Sequence, residues 1–369
     1  MLNNRSQNRT HADRTLMIYL GVLVVFGLVA LTSASTPMGY DKFHDAYFFV
    51  KQQLLFGILP GLVLLLVAAR FSSKFWYKYC GIFYGFSLLM LVLVFVGGIG
   101  VTINGSHGWI GIFGHTFQSS ELAKLAVIMV FAKVLTDPGR DLSDWKNGLL
   151  PALMIIAPAL FLILLQPDIG TLSILVVIVF TMLYLARLPK TFLVILGMAG
   201  VIAFAGLMLA APYRVARLTT FLHPELDPQG VGYHINQSFL AIGSGGLWGQ
   251  GLGHSRQKYQ YLPEVNADSI FAVIAEETGF VFTSLFVILI LLISWRGLRV
   301  AKNTPDDFSR LLVAGIITWF LWQSFLNIGA MAGLLPLTGV PLPLVSQGGS
   351  SAITMLLAFG IVIGISKES

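Results

Sequence analysis

The sequence predicts an all-α polytopic membrane protein with about ten transmembrane helices and one long extracytoplasmic loop. Two observations predict this class. Hydrophobic residues make up 56% of the chain and charged residues only 11%, and the mean hydropathy is +0.80. A soluble domain carries about 25% charged residues. Apolar runs of roughly 18 or more residues recur along the chain, and each is long enough to cross a bilayer as a helix.

The ten predicted helices are joined by short connections in most places. Residues 1–14 are a polar, cytoplasmic N-terminus, and residues 15–369 form a single transmembrane domain. The first helix is followed by further spans and lacks a convincing cleavage site, so we interpret it as a retained signal anchor. The helices are expected at about 15–34, 49–69, 76–98, 119–135, 149–165, 169–186, 191–211, 268–294, 310–330 and 346–366.

The distribution of Lys and Arg predicts that both termini lie in the cytoplasm, because cytoplasmic loops are enriched in these residues. With the N-terminus inside, 16 of the 23 Lys and Arg residues fall on the cytoplasmic side. The basic residues form no single patch or stripe in the sequence. The net charge of +6 therefore does not indicate nucleic-acid binding.

The one long predicted connection, residues 212–267, falls between the seventh and eighth helices on the outer face. Loops of this length are usually functional or disordered, and this one is not of low complexity. Residues 232–243 are weakly amphipathic and are expected to lie along the membrane surface. The Gly-rich stretch 242–253 has two interpretations: an anion-cradling turn, or a plain structural turn between two interfacial helices. The sequence does not decide between them.

A second outer loop, about residues 99–118, leads into the fourth helix through Phe117-Gln-Ser-Ser-Glu-Leu-Ala-Lys124. Ser119 or Ser120 is expected to cap this helix, with Glu121 in its positive first turn. Glu121 and Lys124 are spaced i, i+3 and can pair. A lysine at this depth should face the bundle interior or an aqueous cavity. The alternative is an ion pair that only fixes helix packing.

Two other breaks in the apolar pattern carry polar residues. In Gln166-Pro-Asp-Ile-Gly170, Asp168 is expected to cap the next helix, a structural role that we favour over catalysis. Residues 339–351 contain prolines that disfavour a helix, and Ser346 is expected to start the last one. Irregular backbone at membrane depth is buried in protein or lines a cavity, so this segment is expected to help wall a site.

Asp268 ends the long polar stretch at the point where the eighth apolar helix begins. A carboxylate there has water on one side and hydrocarbon on the other, so its charge is unfavourable unless it is bound or used. The alternative is that Asp268 caps the helix, with Ser269 alongside. On an unbroken helix Glu276 and Glu277 cannot both face one site, so one of them is expected to pair elsewhere in the bundle.

Taken together, these motifs resemble those of the SEDS family of cell-wall polymerases (shape, elongation, division and sporulation), over nearly the whole chain. Residues 247–264 are more similar to the division-type members than to the elongation-type members. Each motif alone is weak, and together they are highly specific. They are Phe117–Lys124, Gln166–Thr171, Asp227–Tyr233, Gly249–Gly253, Tyr261–Glu264 with Glu277, and Pro341–Ser350.

The resemblance implies a peptidoglycan glycosyltransferase that polymerises lipid II at the outer face of the bacterial cytoplasmic membrane, during cell division or growth. The growing glycan on undecaprenyl pyrophosphate is the donor, and the 4-hydroxyl of the GlcNAc of another lipid II is the acceptor. Asp268 is then the catalytic base, because a hydroxyl nucleophile needs an acceptor for its proton. The pyrophosphate leaving group needs cationic stabilisation from basic side chains, or from a divalent cation such as Mg or Mn with Asp268 as a ligand.

The remaining residues of the implied site have binding or supporting roles. The sequence holds no multi-ligand metal motif, so a cation would be held by few carboxylates and by the substrate phosphates. Substrate binding is assigned to Gln118, Glu121, Lys124, Arg214, Arg217, Arg256, Lys258, Glu264 and Ser346. Structural support is assigned to Trp109, Asp168, Glu276 and Glu277.

The chain departs from the usual family pattern at four positions. Ser119 stands where Pro is usual, Gly108 where Arg is common, Ala267 where Thr is usual, and Gln347 where Tyr is common. These departures affect the positioning of substrate more than the reaction. At Gly108 a phosphate contact is expected to pass to the basic residues of the long loop.

The family also implies partners: a class B penicillin-binding protein, which is a single-span transpeptidase, and other divisome or elongasome proteins. A second function, transport of lipid II across the membrane, has also been proposed for the family. Transport predicts a polar path with its site near the midplane. Most polar residues cluster instead towards the outer end, which favours polymerisation. Glu276, Glu277, Gln323 and Asn327 lie deeper and keep transport open.

Overall fold

The structure of the chain, a computed structural model, describes residues 12–103, 105–112, 114–209, 212–259 and 261–368. Within these residues it is a bundle of helices with one small β-sheet, which confirms the predicted polytopic helical class. The helices are α1 (Arg14–Phe43), α2 (Phe48–Gln53), α3 (Leu59–Ala68), α4 (Ser73–Leu93), α5 (Ser119–Leu135), α6 (Leu150–Leu165), α7 (Ile169–Leu185), α8 (Lys190–Leu209), α9 (Pro212–Leu222), α10 (Val231–Ser244), α11 (Ile270–Asn303), α12 (Asp307–Met331) and α13 (Gly349–Ile365).

Seven helical spans among the described residues are long and apolar enough to cross a membrane, by length and composition. They are α1, α2 with α3, α4, α6 with the turn before it, α8, α11 and α12. Helices α5, α7 and α13 also fall in predicted intervals, but each has 17 residues. Such a helix is about 25 Å long, which is shorter than the hydrocarbon core of about 30 Å. The number of ten complete spans therefore stays a prediction.

Helix α12 lies at the centre of the bundle and packs against α5, α7, α11 and α13. Because it has neighbours on all sides, its side chains are buried along most of its length, including Trp319, Gln323 and Asn327. Around this core, α3 packs on α13, α1 on α11, and α4 on α5. A central helix shielded from lipid can carry polar side chains at membrane depth, because they bond to protein and do not face hydrocarbon.

Within the described part of the chain, the outer loop predicted at about 99–118 folds into a three-stranded antiparallel sheet, which the all-helical prediction missed. β1 (Gly100–Ile103) pairs with β2 (Ser106–Ile112), which pairs with β3 (His115–Gln118). Gly105 follows Asn104 in a dipeptide that favours hairpins, and it has the positive φ (79°) of such turns. We call this end of the bundle, with β1–β3 and the N-termini of α5, α7 and α11, the sheet end.

About half of the long connection 212–267 is helical. It contains α9, a one-turn helix at Pro224–Leu226, and α10. Helix α10 covers the stretch predicted as a surface helix, which confirms that prediction for its secondary structure. Its residues Ile235 and Ala241 are buried, and α10 packs on α11.

Helix α11 is interrupted at Gly279, whose backbone (φ 72°, ψ 179°) is not helical. The amides of residues 280–281 therefore bond to the carbonyls of residues 246–247 (2.9 and 3.2 Å). The carbonyls that they leave, those of residues 276–277, accept hydrogen bonds from the amides of residues 250–251 (3.0 Å each). The Gly-rich stretch thus completes the hydrogen bonding of a broken helix.

The Gly-rich stretch crosses α11 at the break, and this close approach explains its glycines. A Cβ atom at Gly249 would lie 2.2 Å from the carbonyl oxygen of Glu277, and one at Gly279 would lie 2.2 Å from the amide nitrogen of Gly249. Two backbones approach this closely only where side chains are absent. A structural turn packed on α11, the second of the two interpretations, therefore accounts for the stretch.

Candidate active site

Asp268 lies at the sheet end, just before α11 begins at Ile270. Its side chain is partly buried, and its Oδ1 atom is buried with no hydrogen-bond partner among the described residues. Ser269 occupies the N-cap position of α11, without a side-chain cap from any described residue. The alternative role of Asp268 as a helix cap is therefore not realised, and its Oδ1 atom is left without a donor among the described residues.

The pKa of Asp268 is raised from 3.8 to about 7, first by burial and second by the negative charge of Glu264. The two carboxylates belong to one turn, because the amides of Ala267 and Ser269 both donate to the Glu264 carbonyl (3.0 and 3.2 Å). Glu264 itself is exposed and has a positive φ of 48°. A base works best when its pKa lies near the working pH, so this carboxyl group is suited to proton transfer near neutral pH.

The backbone of Asp268 is held by the central helix. The side-chain amide of Asn327 donates hydrogen bonds to the carbonyls of Asp268 (2.8 Å) and Val340 (2.9 Å). Asn327 is buried, so these bonds are shielded from water. They fix the Asp268 turn and the irregular segment before α13 to the same point on α12.

The irregular segment before α13 is also bonded directly to the Asp268 turn. The Ser346 hydroxyl donates to the carbonyl of Ala267. Gln347 bonds to Asn266 through both its backbone amide and its side chain. The expectation that Ser346 starts the last helix is wrong, since α13 begins at Gly349. The Ser346 hydroxyl is used between two irregular segments, and its predicted contact with substrate stays a prediction.

His234 of α10 lies beside this turn, and no local pattern in the sequence marks it as part of the site. Its Nε2 is 2.5 Å from the Ser269 hydroxyl oxygen, and that hydroxyl donates to the Pro263 carbonyl (2.6 Å). Because the Ser269 proton is already used, Nε2 of His234 carries the hydrogen in their contact. Burial lowers the pKa of His234 to about 4, so the ring is neutral near pH 7. His234 therefore holds Ser269 in place as a neutral donor.

Lys124 is fully buried inside the bundle and forms an ion pair with Glu121 (Nζ to Oε1, 2.8 Å). Its Nζ also donates to the side-chain oxygen of Gln323 (2.7 Å) and lies 4.8 Å from the ring centroid of Trp319. The prediction that Lys124 faces the bundle interior is confirmed. All of these contacts are with protein, so direct binding of substrate by Lys124 or Glu121 stays a prediction.

Gln323 connects this ion pair to the region of Asp268. Its amide donates to the Pro341 carbonyl (3.0 Å), and Pro341 follows Val340, which Asn327 contacts. Gln323 and Asn327 are spaced i, i+4 and project from the same face of α12. The sequence marks both as polar residues at membrane depth, but it does not reveal their bonds to the segment before α13. Both bond to protein groups, so these bonds do not mark a polar path through the bilayer.

The predicted cap of α5 is wrong. The N-cap position is Gln118, and Ser119 and Ser120 lie inside the helix. The Ser120 hydroxyl and the Gln118 side-chain amide each approach the same carboxylate oxygen of Asp168, at 3.4 Å. Asp168 caps α7 by accepting from the Thr171 amide (2.9 Å), which confirms its predicted structural role.

Two of the four departures from the family pattern contact each other. The Ser119 hydroxyl donates to the Gly108 carbonyl (3.2 Å) where the sheet meets α5. Trp109, the next residue, is partly buried and pairs with Gln118 across the sheet. Trp109 and Gln118 thus form part of a rigid surface at the sheet end.

Glu276 and Glu277 both bind the loop before Asp268, and Glu277 also bonds to α1, elsewhere in the bundle, as expected for one of them. Glu277 forms a buried ion pair with Lys258 (2.8 Å). The Ser33 hydroxyl of α1 lies 2.5 and 2.7 Å from the two carboxylate oxygens of Glu277 and donates to one of them. Glu276 accepts from the backbone amide of Arg256 (2.8 Å). The expectation did not include the loop, which crosses α11 beside its break and reaches both carboxylates.

The basic residues predicted to contact phosphate differ in how exposed their side chains are. Arg256, and Arg217 on α9, are exposed. Lys258 is buried in its ion pair with Glu277. The side chain of Arg214 lies outside the described residues. Arg217 and Arg256 are therefore the predicted phosphate contacts that the structure leaves open to solvent.

The described residues contain no group of three or more His, Cys, Asp or Glu side chains that could hold a metal ion. Asp268 and Glu264 supply two carboxylates to one turn, and Oδ1 of Asp268 has no partner among the described residues. Two carboxylates fit a divalent cation only if other ligands complete its shell, as substrate phosphates commonly do for Mg²⁺.

This fold and site define a class of protein. It is a multi-pass membrane protein with a half-buried carboxyl group at one end of a helical bundle. The family model of the FtsW, RodA and SpoVE cell cycle proteins matches residues 14–369, and the chain belongs to this family. Membership confirms the resemblance drawn from the sequence motifs.

The chain is similar to named relatives over almost its whole length. It is 39% identical over 361 residues to stage V sporulation protein E of Bacillus subtilis (strain 168), covering 98% of this chain and 98% of the relative. It is 37% identical over 361 residues to the probable peptidoglycan glycosyltransferase FtsW of Escherichia coli O6:H1, covering 97% of this chain and 86% of the relative. These identities are close to each other, so the division-type assignment stays a prediction.

Solved structures share the fold. One is a chain from a peptidoglycan synthase complex, solved to show the structural coordination of polymerization and crosslinking. It has a TM-score of 0.78 and 27% identity to this chain, covering 96% of this chain and 97% of that chain. The rod shape determining protein RodA of Thermus thermophilus has a TM-score of 0.70 and 29% identity, covering 96% of each chain.

Proposed function

We propose that this chain is a peptidoglycan glycosyltransferase that polymerises lipid II into glycan strands. Family membership and the relatives named as probable peptidoglycan glycosyltransferases support this function. The observation that carries it is the carboxyl group of Asp268. Its pKa is about 7, and its buried Oδ1 has no partner among the described residues.

In the proposed reaction, Asp268 accepts the proton of the 4-hydroxyl on the GlcNAc of the acceptor lipid II. The hydroxyl oxygen bonds to C1 of the donor sugar while the bond from C1 to the pyrophosphate oxygen breaks. Undecaprenyl pyrophosphate leaves with the electron pair of that bond. Its charge is met by basic side chains, for which the exposed Arg217 and Arg256 are the residues that we propose.

A divalent cation, Mg²⁺ or Mn²⁺, fits this proposal beside Asp268 and Glu264 when substrate phosphates supply its other ligands. Such an ion would neutralise charge on the pyrophosphate. The buried Lys124 and Glu121 are proposed to act by holding Gln323, and through it the segment before α13, in place.

The proposed reaction takes place at the outer face of the bacterial cytoplasmic membrane, with both termini in the cytoplasm. The excess of Lys and Arg in the segments away from the sheet end supports this orientation. The proposed partner is a class B penicillin-binding protein, with other divisome or elongasome proteins. The likeness to a peptidoglycan synthase complex that coordinates polymerization and crosslinking supports a crosslinking partner.

The test is glycan synthesis from lipid II by the purified chain with its partner in detergent. Wild type is expected to make glycan strands, and Asp268→Asn to make none, because the amide keeps the shape but cannot accept the proton. Asp307→Asn is the matched control, since Asp307 is an exposed carboxylate paired with Arg310 away from the sheet end. Full polymerisation by Asp268→Asn would falsify the catalytic assignment. Lipid II scrambling in liposomes without polymerisation, unaffected by Asp268→Asn, would favour transport instead.

A further inference from the structure

At the end of the bundle opposite Asp268, a polar cavity of about 620 Å³ opens between α1, α11 and the end of α13. Its volume lies in the range of about 300–1,000 Å³ that is usual for ligand sites. Along α11, about 40 Å of helix separates Arg296 from the Asp268 turn, so this cavity is a different site. The lining includes Asp13, Arg14, Arg296, Arg299 and Ser366.

The cavity carries an excess of positive charge. Its one carboxylate, Asp13, is already used: both of its oxygens accept from Nε of Arg296 (3.0 and 2.7 Å), and one also caps α1 at Leu16 (3.0 Å). The other two arginines of the lining, Arg14 and Arg299, are exposed. Neither forms an ion pair with another residue that the structure describes. Their charge therefore has no described acidic partner.

The walls of the cavity are tied together without a ligand. The amide of Asp13 donates to the Ser366 hydroxyl (3.1 Å), which joins the start of α1 to the end of α13. The ion pair between Asp13 and Arg296 joins α1 to α11. The positive N-terminus of α1 points to the same place. The arginines are therefore presented by a preformed frame.

The cavity lies at the depth where α11 leaves the hydrocarbon. Trp295 is 52% exposed, and the guanidinium of Arg299 lies 4.0 Å from the centroid of its ring. Exposed Trp with a neighbouring Arg is typical of the membrane–water boundary. From Gly279 to Arg296 the helix rises about 25 Å, close to the thickness of the hydrocarbon core of about 30 Å. Lipid headgroups therefore have direct access to the cavity.

We propose that this cavity binds the phosphate group of an anionic ligand at the membrane surface opposite the Asp268 turn. Arg14 and Arg299 contact the phosphate, and Arg296 with Asp13 forms the fixed wall. Guanidinium groups present paired donors that match phosphate oxygens, and basic pockets between transmembrane helices take lipid headgroups in this way. The phosphate can come from an acidic phospholipid or from free phosphate in solution, and the experiment separates the two sources.

The experiment measures retention of phosphatidylglycerol and phosphatidylcholine by the purified full-length chain in detergent micelles, by native mass spectrometry. Wild type is expected to retain phosphatidylglycerol in preference. Arg14→Gln/Arg299→Gln is expected to weaken that binding by about 25-fold, because each basic residue near a membrane surface contributes about a fivefold factor. Arg14→Lys/Arg299→Lys, which keeps the charge, is expected to retain most of it.

The matched control is Lys74→Gln/Lys190→Gln, which removes the same charge from two exposed positions outside the cavity lining. It is expected to bind phosphatidylglycerol as wild type does. Equal losses in the two glutamine variants, or no loss in Arg14→Gln/Arg299→Gln, would overturn the proposal. Thermal unfolding in the same detergent checks that each variant is folded, and Arg299→Gln alone serves if the double variant is not.

The source of the phosphate is decided by adding inorganic phosphate in excess over the lipid. Displacement of phosphatidylglycerol from wild type would support a site for phosphate in general, filled from solution as well as from lipid. Retention would support a headgroup site, because the lipid then contributes binding that the free ion lacks. Absence of any preference for phosphatidylglycerol over phosphatidylcholine in wild type would refute both forms of the proposal.

Discussion

The side-chain amide of Asn327 binds the backbone carbonyls of Asp268 and Val340 at once, at 2.8 and 2.9 Å. One buried side chain of α12 therefore fixes both the turn that carries the proposed base and the irregular segment before α13. Reacting groups need such support from packed neighbours to hold their geometry. The position of Asp268 thus depends on the central helix as well as on its own loop.

Asn327→Leu should lower both stability and glycan synthesis. Two buried carbonyls would lose their donor, and each unsatisfied group costs about 1–3 kcal/mol. Thermal unfolding in detergent and the initial rate on lipid II measure the two effects. Ser324→Ala is the control, because the Ser324 hydroxyl is also buried but bonds only to the carbonyl of Phe320 in its own helix (2.8 Å). A wild-type rate in Asn327→Leu would contradict a positioning role.

The rate of polymerisation should rise with pH through about 7, because Asp268 accepts a proton only when it is ionised. The charge of Glu264 is the second cause of the raised pKa of Asp268, so Glu264→Gln should move the midpoint to lower pH. The pH–rate profiles of both proteins measure this shift. Glu225→Gln, at another exposed carboxylate of the long connection, should leave the midpoint unchanged. An unchanged midpoint in Glu264→Gln would rule out the proposed coupling.

Asp268 should also make stability depend on pH. Its pKa in the folded chain lies above the ordinary value of 3.8, so folding favours its protonated form. That contribution is complete below about pH 3.8 and is lost as the pH rises through about 7. Asp268→Asn stays neutral, so it should be more stable than wild type at about pH 8 and similar at about pH 4. Thermal unfolding of both proteins at the two pH values is the measurement. An equal difference in stability between Asp268→Asn and wild type at both pH values would refute the predicted pH dependence.

Breaking the buried ion pair of Lys258 and Glu277 should be strongly destabilising. Lys258→Met leaves the Glu277 carboxylate buried without its cation, a change that costs about 3–5 kcal/mol. The double variant Lys258→Met/Glu277→Gln removes that charge and should recover part of the loss. The control is Lys51→Met in the pair with Asp45, whose lysine is 61% exposed, where about 0–1 kcal/mol is expected. Equal effects at the two pairs would contradict a special role of burial.

Gly279→Ala should destabilise the crossing between α11 and the Gly-rich stretch. The added Cβ would lie 2.2 Å from the amide nitrogen of Gly249, and the backbone conformation of Gly279 (φ 72°, ψ 179°) costs about 1–3 kcal/mol for a residue with a side chain. Gly243→Ala is the matched control, since its Cβ would meet nothing within 4 Å in α10. That change should stabilise by about 0.5–1 kcal/mol. Thermal unfolding of both variants tests this difference of sign.

The parts of the fold that were predictable from the sequence are those decided by local pattern. Apolar runs of membrane length marked the helices, and Asp168 after a proline marked the start of α7. The amphipathic pattern at 232–243 marked α10. These signals depend only on neighbours along the chain, so they can be recognised without knowledge of the tertiary fold.

The features that the sequence did not reveal depend on distant partners. Glu276 and Glu277 share one loop only because the Gly-rich stretch crosses α11 at its break. Asn327 reaches Asp268 from a helix that follows much later in the chain. The sheet went unnoticed because its strands are four to seven residues long and stand in a Gly-rich segment. No helical or strand period encodes such contacts.

The break at Gly279 divides α11 into two parts. Residues 270–278 form the short part before the break, and residues 280–303 form the longer apolar part. Membranes differ in thickness by a few ångströms, and long helices respond by tilting. At the break, the carbonyls of residues 276–277 and the amides of residues 280–281 are all bonded to the Gly-rich stretch, so this stretch ties the two parts together. A tilt of the longer part would therefore be passed on to the turn that carries Asp268, which would couple the proposed base to the thickness of the surrounding lipid.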